Sequence, residues 1–269
     1  MIGNFSGLCL LRTETTGTSI PFDQILQFGA ILTDANLNEL ERFEIRCRIL
    51  PWVVPNPYAL LTTGISPSLL TDPDLPSHFE MVGAIEGKLL EWAPARFCGY
   101  NSISFDENLL RQAFFQTLRF PYLTTTRGNG RADILTMARA CAVHAPQALS
   151  FPLDEEGRRV FRLDQLAPAN GFDHSNAHDA MADVEATIHI AKLIRTNGPG
   201  VWSRMLSMSS KDSAASVLES EPVLIQSEFF QRQPSSWLVT WCGHDPDYVG
   251  RAATFDLSED PTGSHLKLI

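Results

Sequence analysis

The chain has 269 residues, 44% of them hydrophobic and 19% charged, and carries a formal net charge of −10. That balance suits a folded chain with a sizeable core. No stretch approaches the run of about 18 apolar residues that a membrane span needs, and the negative charge argues against a protein that coats nucleic acid through general positive charge. A local basic groove beside carboxylates and bound cations remains compatible with it. Cys9, Cys47, Cys98, Cys141 and Cys242 are scattered and form no C-x-x-C pair. Zinc and disulfides are therefore not expected, and free thiols in a reducing cytoplasm are. Met1 leads almost at once into an apolar stretch, without a basic segment or a small-residue cleavage site, so no signal peptide is expected.

In chain order, residues 5–11 predict a buried first strand, 24–33 a second, and 42–48 a third whose polar and apolar residues alternate. Their close spacing predicts antiparallel pairing. A Pro-rich stretch over 51–76 follows, then a helix over 78–92, a short buried strand over 96–100 and an amphipathic helix over 106–118. Further helices are predicted over 133–142 and 176–194. Three antiparallel strands followed by alternating strand and helix indicate an α/β sheet covered by helices. The run from Thr196 to Gly200 is a strong helix stop, and the Ser-rich stretch 207–216 reads as a linker or loose helix. Strands are expected again over 236–242 and 252–257, so a boundary is placed between Gly198 and Glu221.

Three motifs carry the candidate chemistry. The first is Glu14-Thr15-Thr16-Gly17 at the end of the first strand. The second runs from Asn101 to Phe105-Asp106 after a short strand. The third is His178-x4-Asp183 within a helix. Each also has an ordinary reading alone, as an acid at a strand end or as polar residues at a helix start favoured by the macrodipole. Together they supply carboxylates from a strand, a loop-to-helix junction and a helix. Hard divalent cations prefer such oxygens. Two such ions about 3.5–4 Å apart activate a water and stabilise the leaving oxygen of a phosphodiester. A histidine beside them accepts the proton near neutral pH.

The order of these motifs, with the stretches GTSIPFDQILQF, LTTGISP, GYNSISFDE, RADILTMARAC, FRLDQLAPANG and HSNAHDAMADVEATI, resembles the bacterial exodeoxyribonuclease I family of DEDDh exonucleases. The resemblance implies an RNase H-like mixed sheet, three antiparallel strands and then parallel ones, with flanking helices over 1–198. It also implies a linker and a partial SH3-like β segment over 199–269. It implies 3′→5′ hydrolysis of single-stranded DNA to 5′-mononucleotides with Mg2+ or Mn2+, in DNA repair and recombination. Glu14, Asp106 and Asp183 would hold the metal, and His178 would be the general base. Glu14, Arg111, Tyr122, Arg139, Arg162 and His178 would contact the strand. Guanidinium groups suit phosphate oxygens and a Tyr ring suits base stacking, although Arg111 and Arg139 also read as residues of a solvated helix face. A contact with single-stranded-DNA-binding protein is a further implication. An RNA-directed relative such as oligoribonuclease shares only the short motifs.

The sequence departs from that family in two places. The first acid of the D-x-E pattern is replaced by Arg12, which repels a cation instead of ligating it and has Glu14 and Asp183 as potential partners. Two readings follow, an impaired enzyme and a strand-binding pseudoenzyme. Family likeness begins abruptly at Thr13, which also fits a local frame error upstream. The stretch SSWLVTWCGHDPDYVGRAATFDL resembles only the opening of the SH3-like domain, so loose packing is expected after about Gly200.

Overall fold

The structure, a computed structural model, describes residues 7–173, 179–230, 233–248 and 250–260. Strand β1 (Leu8–Thr15) pairs antiparallel with β2 (Ile25–Thr33), which pairs antiparallel with β3 (Glu39–Arg46). In the Pro-rich stretch, α1 (Pro57–Thr63) and α2 (Pro67–Leu70) each start on a Pro behind a capping Asn56 or Ser66. Helix α3 (His78–Trp92) opens with a capping box made by Ser77 and Glu80. Then come β4 (Arg96–Gly99), α4 (Asp106–Gln116), a 3-10 turn at Leu123–Thr125, β5 (Gly130–Asp133), α5 (Ile134–His144), α6 (Leu163–Ala169) and α7 (Ala180–Asn197). The chain continues through α8 (Pro199–Ser207), α9 (Lys211–Ser220), β6 (Leu224–Phe230), β7 (Gln233–His244) and β8 (Ala252–Asp256). No helix among the described residues is long and apolar enough to cross a membrane.

The first five strands form one sheet in the order β3-β2-β1-β4-β5, with β1, β4 and β5 mutually parallel. This is the expected mixed α/β arrangement. Strand β1 lies at its centre and is buried on both faces, as a central strand must be. Leu8 and Leu10 enter a core built with α5, α6, α7 and α8, and Cys9 and Leu11 enter a second core built with α3 and α4. The upstream residues that lack family likeness are therefore a regular strand from Leu8 onward.

Several boundaries differ from the sequence reading. The first strand does not end at Leu11 but runs to Thr15, with Thr13, Glu14 and Thr15 buried. Their polarity suggests an end, but these side chains meet polar partners inside the molecule. Strand β5 is only four residues, GRAD, too short and too polar for a periodic signal. Helix α6 carries Pro168, which hides it, and β6 precedes the strand expected at 236. The helix expected from 176 is described from its cap Asp179 onward.

The loose packing expected after Gly200 does not hold for α8. Trp202 is 6% exposed and belongs to the core against α5 and α7. The Ser209 carbonyl accepts the Arg131 N–H at 2.6 Å, and its hydroxyl accepts from Arg96 Nε at 3.2 Å. Packing of the larger unit thus continues past 198 to Ser209, and most of the Ser-rich stretch is α9. The small sheet β6-β7-β8 is thinner, with only Leu224 and Val239 buried among its described residues. We expect Trp202→Ala to cost about 3–5 kcal/mol of folding stability. Leu238→Ala, on an exposed side chain, should cost less than about 1 kcal/mol. Denaturant midpoints of the two variants check both expectations.

Candidate active site

Residues two apart on a strand share a face, so Arg12 and Glu14 project together from β1. Asp106 opens α4, and Asp183 lies in the first turn of α7. These three elements converge. Arg12 Nε lies 3.2 Å from Glu14 Oε1 and 3.2 Å from Asp183 Oδ2. Asp106 Oδ1 accepts the backbone N–H and the hydroxyl of Thr13 at 2.7 and 2.8 Å. Asp106 Oδ2 is buried with no hydrogen-bond partner among the described residues. The sequence-predicted Glu14, Asp106 and Asp183 are thus gathered around Arg12, whereas His178 lies outside the described residues.

The convergence depends on a few local devices. Asp133 caps α5 through the Leu135 N–H and accepts the N–H groups of Asn101 and Ile103, fixing the turn that delivers Asp106. Asn101 has φ 63°, a left-handed conformation that Asn tolerates. A Cβ on Gly99 would come within 2.7 Å of the Leu11 carbonyl oxygen, so only glycine lets β4 pass there. Gln27, opposite Glu14 in the β1–β2 register, donates to Asp179 at 2.9 Å, and Arg46 donates to the same carboxylate at 2.8 Å. Asp179 caps α7, so these bonds dock the helix carrying Asp183 onto β2.

A cavity of about 560 Å³ opens from Arg12 and Asp183 and is lined further by Tyr100, Arg139, Arg159, Phe161, Arg162 and Phe229. It gathers the sequence-predicted Arg139 and Arg162 with the carboxylate centre. The predicted Arg111 and Tyr122 lie outside its lining. Arg111 stands 5.7 Å from the Tyr122 ring and 3.6 Å from buried Glu107, which also meets Arg131 and Thr124. Phe229, Phe161, Arg159 and Tyr100 were not candidates from the sequence. Phe161 directly precedes Arg162 in the family-like stretch FRLDQL, the one sequence signal available for these four.

A family model described as Exonuclease (RNase T) matches residues 13–191. The chain belongs to the exonuclease family. This exonuclease-family chain is similar to exodeoxyribonuclease I of Escherichia coli strain K12, at 32% identity over 257 residues that cover 92% of this chain and 53% of that one. Its fold is similar to the crystal structure of E. coli exonuclease I in complex with a dA16 oligonucleotide, with TM-score 0.83, 30% identity and coverage of 96% and 56% of the two chains. It is also similar to the zinc ion bound form of the E. coli ExoI–ssDNA complex, with TM-score 0.82, 30% identity and coverage of 95% and 55%. The chain spans about half the length of the curated relatives it matches.

The residues present do not fit the divalent cation that the exonuclease resemblance implies. A guanidinium already stands between Glu14 and Asp183. No group of three or more His, Cys, Asp or Glu is arranged to hold a metal among the described residues. Burial opposes the Arg12 charge, but Asp106, Glu14 and Asp183 outweigh it and raise the Arg12 pKa. Burial also raises the Asp106 pKa, against the pull of Arg12 and the two Thr13 bonds. It pushes Glu14 up to about 7 even with Arg12 beside it.

Between its ordinary 4.5 and about 7, Glu14 is protonated in the folded chain and ionised in the unfolded one. The folded state then binds more protons, so stability falls as pH rises through that window, by up to about 3 kcal/mol from this group. Denaturation in metal-free buffer at about pH 5 and about pH 8 checks this. The unmodified chain is expected to lose more stability between the two than Glu14→Gln does.

Proposed function

We propose that this chain is a 3′→5′ exonuclease domain of the exodeoxyribonuclease I type that engages single-stranded DNA, with its phosphodiester hydrolysis held low by Arg12. The single observation behind this is that motif carboxylates from β1, α4 and α7 converge on one centre and enclose a guanidinium. Family membership supports the reaction type, and the oligonucleotide complexes of the similar E. coli protein support the substrate class.

In this reading the chain's own groups divide the work. Arg139 and Arg162 hold phosphate oxygens of the strand at the mouth of the cavity, in the charge-assisted manner that suits guanidinium groups. Arg12 holds Glu14 and Asp183 together by charge. It offers only N–H donors and does not ligate a metal. His178 is the proposed general base from its place in the His178-x4-Asp183 pattern. With a carboxylate in place of Arg12, Glu14, Asp106 and Asp183 would form part of an oxygen-rich set suited to Mg2+ or Mn2+. Release of 5′-mononucleotides, a role in repair and recombination, and contact with single-stranded-DNA-binding protein belong to the same proposal.

The Arg12 ion pairs also favour a second reading, a strand-binding domain with no turnover. One experiment separates the two. The unmodified chain and Arg12→Asp are each given a 5′-labelled single-stranded oligonucleotide with Mg2+ or Mn2+. Binding is measured in parallel with a chelator present. We expect the unmodified chain to bind without metal. Arg12→Asp should shorten the oligonucleotide from its 3′ end at least about 100-fold faster, the scale of several kcal/mol of lost transition-state stabilisation. Residual metal-dependent shortening by the unmodified chain supports the first reading, and none supports the second. Equal, robust digestion by both chains overturns the inhibitory role of Arg12.

A further inference from the structure

The cavity beside the carboxylate centre has one wall that does not come from the larger sheet. Phe229 projects from β6, and its ring meets Phe161 edge to face at 5.3 Å with an interplanar angle of 83°. The guanidinium carbon of Arg139, on α5, lies 5.6 Å from the centre of the same Phe229 ring. Phe161 in turn meets Phe151 at 5.5 Å, and Arg159 covers Phe151 at 5.4 Å. Phe151, Phe161 and Phe229 therefore form a continuous row of rings with an arginine at each end, Arg159 on Phe151 and Arg139 on Phe229.

Among the described residues, Arg139 is met by the Phe229 ring. Its Nε is buried with no hydrogen-bond partner among the described residues. A buried donor left without an acceptor costs about 1–3 kcal/mol. Arg139 also lines the cavity, and a phosphodiester oxygen suits the exposed edge of a guanidinium. The ring face that orients it belongs to the small sheet. That sheet meets α5 again where Ser227 Oγ lies 3.1 Å from His144 Nε2.

We propose that Phe229 is a positioning residue for Arg139, so that the small C-terminal sheet sets the affinity of the cavity for single-stranded DNA. This rests on the reading of the cavity as the strand-binding site. Phe229 makes its contribution through the Arg139 guanidinium and not through a separate contact with the strand. Removing the π face while keeping apolar bulk should therefore weaken binding only while Arg139 is present.

The test is a double-mutant cycle on the full chain, read by fluorescence anisotropy of a labelled oligo-dT in chelator, with Phe229→Leu, Phe229→Tyr, Arg139→Gln and the Phe229→Leu/Arg139→Gln pair. Phe229→Leu is expected to weaken binding about fivefold, the scale of a cation–π contact, and Phe229→Tyr to leave it unchanged. In the Arg139→Gln background, Phe229→Leu should have no further effect. The salt dependence of log affinity should also fall by about one phosphate contact in Phe229→Leu. Independent, multiplying effects of the two positions, or unchanged affinity and salt slope in Phe229→Leu, would overturn the proposal. If Phe229→Leu unfolds, the Phe229→Tyr arm decides, since weakened binding there with an unchanged melting temperature also overturns it. No binding by the unmodified chain would instead remove the strand-binding reading and this proposal with it.

Discussion

Three buried carboxylates cannot share one small region without a cation among them. Glu14, Asp106 and Asp183 are each no more than 5% exposed, and burial raises the pKa of Glu14 and Asp106. Like charges and lost hydration already favour a proton on Glu14, and without a cation they would force further protons onto the cluster or open it. Arg12 supplies the cation from within the chain, at 3.2 Å from two of the three acids. A bound metal supplies such charge reversibly. A side chain supplies it permanently and on the same strand as Glu14. The guanidinium thus explains both how the cluster stays closed and why the remaining oxygens make a poor metal site.

The rest of the fold serves that closure. The β1–β2 register places Gln27 opposite Glu14, and Gln27 reaches the Asp179 cap of α7, so the strand paired with the one that carries Glu14 is bonded to the helix that carries Asp183. A Cβ on Gly29 would come within 3.1 Å of the Ala180 backbone, which shows how closely β2 and α7 approach. Two cores on opposite faces of the sheet fix the strands between them. The site therefore rests on the most deeply packed part of the molecule.

The first three strands, β4, and helices α3, α4, α5 and α7 were legible because apolar alternation and helix starts are local signals, whereas β5, α6 and β6 were too short, too polar or interrupted to show. The motif acids were legible because their spacing matches a known pattern, and Arg12 was legible as the departure from it. Its predicted partners, Glu14 and Asp183, are the ones it meets. Thr13, Gln27 and Asp133 were not legible as parts of the site, since each acts through a partner more than 30 residues away. The extent of β1 was misjudged because buried polar residues imitate a strand end. Phe229 carried no local signal, because its role arises only where the small sheet meets α5. Arg111 and Tyr122 do meet each other, but beside Glu107 and outside the cavity lining.

Asp133 occupies an unusual mechanical position. One carboxylate receives the Leu135 and Thr136 N–H groups in the first turn of α5 and two N–H groups of the turn that ends at Asp106. Helix α5 also carries Arg139. The spacing between the helix that carries Arg139 and the turn that leads into Asp106 is thus gauged by a single side chain, much as a jig sets the spacing of two parts. The ruler stands outside the carboxylate centre whose position it sets, and loss of its carboxylate would release both parts at once.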